Sequence, residues 1–212
     1  MPVVTALRAT RRGGVALHVD GEYLCVVSES LVARWRLFKG RELATADLDE
    51  LRAAASAERV TGDAHRLLGH RARSADELRR RLLAKGHDEA AVERAVERLT
   101  ADGLLDDAEF ARSFAADKRR LSGWGAQRIR RDLRRLGVDA AVVAAALGEG
   151  TDEDGEELER ALAVLAKLGP QPRATDAARR RAYQLLLRRG FASGTAYAAV
   201  RRWSAEAGAG SA

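Results

Sequence analysis

Four carboxylates crowd into eight residues: Asp102, Asp106, Asp107 and Glu109. Clustered acids can hold divalent metal ions against a phosphate, the chemistry of a metal-dependent nuclease. Such an enzyme would cut DNA with Mg²⁺ and lose that activity on Asp106→Asn and Asp107→Asn replacement. Backbone capping accounts for the same residues more simply. Asp106 stands three positions before Glu109, the spacing that caps a helix start, and Asp102 precedes a helix-ending glycine, Gly103. The four histidines, His18, His65, His70 and His87, contain no pair at i, i+3 or i, i+4, and Cys25 is the single cysteine. A metal site is therefore not expected. The chain has neither a Gly-x4-Gly-Lys-Ser/Thr phosphate loop nor a Gly-x-Gly-x-x-Gly turn after a strand. No catalytic residue and no cofactor is expected.

Positive charge is the stronger chemical signal. Residues 75–85, 125–136 and 176–189 read as three helices with nets of +2, +4 and +4, together more than the +6 of the whole chain. Arginines set between aliphatics on such a helix must face outward. One helix of this kind is an ordinary solvated face. Recurrence in stacked units would line the charges along one surface suited to a polyanion or an acidic protein. The stripe is expected at Arg79, Arg80, Lys85, Arg128, Arg131, Arg134 and Arg135, flanked by Lys118, Arg119 and Arg120. Trp124 lies beside them and could stack on a base, cover a partner or pack its own turn.

These cations are positioned by a repeat. Leu78-Arg-Arg-Arg-Leu82-Leu-Ala-Lys-Gly86-His-Asp88 and Ile129-Arg-Arg-Asp-Leu133-Arg-Arg-Leu-Gly137-Val-Asp139 share one template 51 residues apart. The aliphatics form an i, i+4 stripe, glycine closes the helix in the left-handed conformation, and Asp caps the next helix. A weaker copy ends at Gly190, with Phe191-Ala-Ser193 in place of the capping Asp. His87 fills the slot of Val138 and Phe191, where a side chain packs back on the helix.

Before the repeats, Val15, Leu17 and Val19 alternate as in a strand, and Asp20-Gly21 marks a tight hairpin. Arg11-Arg-Gly-Gly14 makes the looser turn of a three-stranded meander, whose polar face carries His18 as an ordinary surface residue. Two helical faces should cover it: Leu31, Trp35 and Phe38, then Leu48, Leu51 and Ala55. The expected organisation is residues 1–60 as β-meander plus helices, three-helix repeats at 61–104, 105–150 and 151–205, and a flexible tail at 206–212. Asp63 should start the first repeat, Ser74 and Glu77 cap its second helix, Phe110, Phe114 and Leu121 form a buried stripe, and Gly169-Pro170 end a helix begun by Leu158, Leu162, Leu165 and Leu168. The class is mainly α. With one cysteine, no long apolar run and no leader pattern at Met1, the expectation is a cytoplasmic protein without disulfide or membrane contact.

The order of motifs resembles the RecX regulators of the RecA recombinase. The resemblance rests on Arg73-Ser-Ala-Asp-Glu77-Leu78, Leu82-x3-Gly86, Gly103-Leu-Leu-Asp106-Asp107-x-x-Phe110-Ala111, and the basic helix Arg128 to Arg135 with Leu133 and Gly137. It covers about 61–205, strongest over the first two repeats, and the meander is similar to the extra N-terminal segment of longer members. It implies an elongated, curved array lying in the groove of the RecA–single-stranded DNA filament. There it would damp ATP hydrolysis, filament growth and strand exchange, and with them recombination and the SOS response. It implies no catalytic centre and a RecA filament and single-stranded DNA as partners; a monomer is expected. The rival expectation is a stand-alone nucleic-acid-binding protein acting through the basic face, whose affinity would fall steeply with salt.

Overall fold

The structure is a computed structural model that describes residues 1–11, 13–148, 153–168 and 175–209. It divides into two units, residues 1–73 with 77–105, and residues 74–76 with 106–212.

The first unit opens with an antiparallel meander of β1 (Val4–Ala9), β2 (Val15–Val19) and β3 (Glu22–Val27). Asp20 and Gly21 both take positive φ, +50° and +86°, as a two-residue turn between right-twisted strands requires. The free edge of β1 is covered by the segment after residue 39: Val4 N–H donates to Arg41 O and Gly40 N–H to Val4 O, both at 2.8 Å. Leu17, Val19 and Val27 from the sheet bury against Leu31 of α1 (Glu29–Arg34) and Leu48, Leu51 and Ala55 of α2 (Thr45–His70). Two expectations are corrected here. Phe38 lies beyond α1 and is exposed, while His18 is half-buried with its ring edge-on to Tyr23.

α2 is one continuous helix of 26 residues. It runs through the boundary expected near residue 60, and Asp63 lies in its middle. Gly62 and Asp63 resemble a helix break only locally; Val60 and Ala64 on either side are fully buried, so packing carries the helix through. α2 packs on α4 (Glu89–Ala101), and Leu78 and Leu82 of α3 (Ala75–Leu83) are fully buried.

The second unit holds α5 (Asp107–Ser122), α6 (Ala126–Arg135) and α7 (Ala140–Leu147), then α8 (Glu153–Ala166), α9 (Asp176–Arg189) and α10 (Ser193–Ala209). Phe110, Ile129, Leu133, Val138, Val143 and Leu147 share one core, and Leu165, Leu186, Phe191 and Val200 share another. Leu121 and Leu168, expected in these cores, are exposed. α10 continues to Ala209 through most of the expected tail. The Gly169-Pro170 stop, the end of the second repeat at 150, Arg12 of the first turn and residues 210–212 lie outside the described residues.

Candidate partner-binding surface

The helix-ending glycines do more than cap. Gly86, Gly137 and Gly190 all take positive φ, +82°, +84° and +88°, as the left-handed C-terminal residue should. A side chain at Gly86 would meet open space. One at Gly137 would collide with Asp76, and one at Gly190 with Arg128. Around Gly137, the Ser74 hydroxyl donates to Leu136 O and Ala75 N–H donates to Asp107 Oδ1 at 2.8 Å. Around Gly190 the pattern recurs. Gly125 N–H donates to Arg189 O at 2.9 Å, Gln127 N–H to Gly190 O at 3.0 Å, and Ala126 N–H to Glu157 Oε1 at 2.8 Å. At Gly190 backbone N–H groups at the start of α6 meet carbonyls at the end of α9, at Gly137 the Ser74 hydroxyl takes that role, and at each an acidic side chain accepts from one further N–H.

This junction recruits cations expected on the surface. The Arg128 guanidinium lies 3.9 Å from the centroid of Trp124, and Lys118 Nζ lies 4.8 Å from it. Trp124 is half-buried with these two cations on its ring, so it serves the turn and offers no open platform for a base. Arg119 donates to Leu147 O at 3.2 Å, and Arg189, not foreseen as structural, donates to Ser122 O at 2.9 Å. Arg120 pairs with Asp117 at 3.1 Å on the surface.

On α6 the remaining arginines are disposed differently. At roughly 100° per residue, Arg131, Arg134 and Arg135 project from the side opposite the buried Ile129 and Leu133. All three are exposed, and among the described residues no carboxylate pairs with Arg131 or Arg134. On α3, Arg79 Nε is 2.8 Å from Glu93 and Lys85 Nζ is 3.1 Å from Asp63; Arg80 is exposed.

The acids are likewise occupied. Asp106 accepts from Ala108 N–H and Glu109 N–H at 2.8 and 2.9 Å, Asp107 from Ala75 N–H, and Asp102 faces Arg98 at 3.7 Å. Arg112 and Ser113 hydrogen-bond Glu109 and lower its pKa. No group of three or more metal-ligating side chains occurs among the described residues. Burial alone would raise the Glu77 carboxyl, but hydrogen bonds and charge from Arg71 and Arg73 outweigh it and hold the pKa below the ordinary value. Asp63 behaves alike: burial opposes ionisation, and His87 Nε2 at 2.8 Å, with Lys85 and Arg66, reverses the balance. His87 sits in the packing slot, its side chain 5% exposed, and its polar atom is satisfied by Asp63. Burial raises the Cys25 thiol pKa, which disfavours a reactive thiolate.

The elements define a mainly helical protein of three-helix repeats preceded by a small antiparallel sheet. Residues 63–99, 106–147 and 155–200 match the first, second and third three-helix domains of RecX. "Regulatory protein RecX" of Lactobacillus delbrueckii subsp. bulgaricus is 32% identical over 95% of this chain and 74% of its own length. The protein of the same name from Amycolatopsis mediterranei is 37% identical over 68% of this chain and 82% of its own length. A crystal structure of regulatory protein RecX aligns over 95% of this chain and all of its own, with a TM-score of 0.65 at 22% identity. The RecX of Lactobacillus salivarius aligns over 71% of this chain and 97% of its own, with a TM-score of 0.62 at 20% identity. The chain belongs to the RecX family of regulatory proteins. No helix among the described residues is long and apolar enough to cross a membrane.

Proposed function

We propose that this chain is a non-enzymatic regulator of the RecA recombinase. It binds the RecA–single-stranded DNA filament in its groove and restrains ATP hydrolysis, filament extension and strand exchange. The observation that carries this reading is the outward α6 face, where exposed Arg131 and Arg134 stand without a carboxylate partner among the described residues, beside exposed Arg135. A guanidinium already neutralised inside its own chain has little to offer an acidic partner, whereas one left in solvent retains its full charge for it. No reacting group is needed, because occupying the groove alters filament dynamics directly.

Reversing charge at Arg131, Arg134 and Arg135 together tests the assignment. The triple variant should need at least about tenfold more protein to inhibit RecA's DNA-dependent ATPase, while its helical circular dichroism stays that of the parent. Unchanged inhibition by a folded triple variant would remove α6 from the binding surface.

A further inference from the structure

A second cationic site lies between α9 and α10, outside the residues expected for the stripe. Over residues 175–205 the sequence places seven arginines against one carboxylate, Asp176, which pairs with Arg179 at 3.2 Å. Between the two helices runs an open groove of about 570 Å³, bordered by Tyr183 and Tyr197, floored in part by Val200, and edged by Arg179, Arg180 and Arg201. Tyr197 is 65% exposed although its neighbours Ala196, Ala199 and Val200 are all buried in the core of this repeat. Tyr183 is half-buried with its ring packed on that core, so the groove has one fixed aromatic wall and one free one. Arg180 also borders an adjoining hollow of about 690 Å³ that carries Arg181, Arg188 and Trp203.

We propose that this groove is a seat for a single-stranded polynucleotide, with a base stacked on Tyr197 and the flanking phosphates held by Arg180 and Arg201. Two features select that occupant. An exposed tyrosine ring in a groove edged by guanidinium groups matches the alternation of bases and phosphates along an unpaired strand, and a duplex keeps its base faces stacked out of reach. An acidic peptide would use the charges but has no planar group for the tyrosine. Nothing in this site depends on the α6 face or on a recombinase.

Fluorescence anisotropy of a short labelled oligothymidylate, titrated with the full-length chain, tests the site. Tyr197→Ala should weaken binding about tenfold and Tyr197→Trp should retain it, because a larger ring restores the platform. Tyr197 is mostly solvent-exposed, so both variants should keep the parental circular dichroism. Replacing Arg180 and Arg201 with Gln should lower the slope of log affinity against log salt by about 1.4, the contribution of two phosphate contacts on a single strand. The proposal is overturned if Tyr197→Ala binds as tightly as the parent. It is equally overturned if a hairpin duplex or polyglutamate displaces the oligonucleotide as well as unlabelled oligothymidylate does. Since the mixture contains no RecA, this result and the test of filament binding can fail separately.

Discussion

α3 and α6 are written on one template, with buried aliphatics four apart, arginines between them and a closing left-handed glycine, yet they serve different ends. On α3, Arg79 is tied to Glu93 and Lys85 to Asp63, and the glycine end is open. On α6, Arg131 and Arg134 are exposed, and the glycine end is covered by Asp76. A count of cations per helix therefore overstates the charge that α3 leaves unpaired. What distinguishes the two is the internal partner of each cation, and partners come from elements distant in sequence.

Alanine at the two glycines should separate capping from docking. Gly137→Ala should cost about 3 kcal/mol: about 1 for forcing a side chain into the left-handed region, and the rest for driving a methyl group into Asp76. Gly86→Ala should cost only about 1 kcal/mol, since nothing lies within 4 Å of the added atom. Urea denaturation of the two variants gives the difference; equal costs would mean that Asp76 yields freely and the covered end is not a rigid junction.

Glu77 sharpens the contrast within α3. Glu77→Gln should cost about 1.5 kcal/mol at neutral pH by loosening the bonds to Arg71 and Arg73. The folded carboxyl titrates below its unfolded value of 4.5, so this stabilisation is complete above that pH and is lost as pH falls through the lower folded value. Denaturation midpoints of parent and variant should therefore converge in acid. A difference that stays constant on acidification would show that the charge of Glu77 is not what matters.

The smallest effect is expected from reversing Arg79 and Lys85 together. Both already face internal carboxylates, so inhibition of RecA's ATPase should change by less than about twofold, against at least about tenfold for the α6 triple. A loss as large as that of the triple would erase the distinction between the helices.

The repeat was legible in the sequence because its signals are local. Gly103, Gly137 and Gly190 close helices, and Asp88, Asp106 and Asp139 cap them, wherever the chain lies in space. The unbroken α2 was not legible, because Gly62-Asp63 carries the local mark of a break and only burial of Val60 and Ala64 overrides it. The fates of the cations were also hidden. Arg128 goes to Trp124 and Arg189 to the Ser122 carbonyl, a partner 67 residues away, and spacing within one helix reveals neither. The aromatic groove at Tyr183 and Tyr197 escaped for the same reason: the two rings belong to different helices and meet only in the fold.

Co-sedimentation with RecA filaments on single-stranded DNA, run beside bare single-stranded DNA at the same salt, separates recognition of the filament from binding of its DNA. Association should be much tighter with the filament than with the bare strand, and that preference should be lost when Arg131, Arg134 and Arg135 are reversed. Equal association with both, or an undiminished preference in the reversed variant, would contradict binding of the filament through α6.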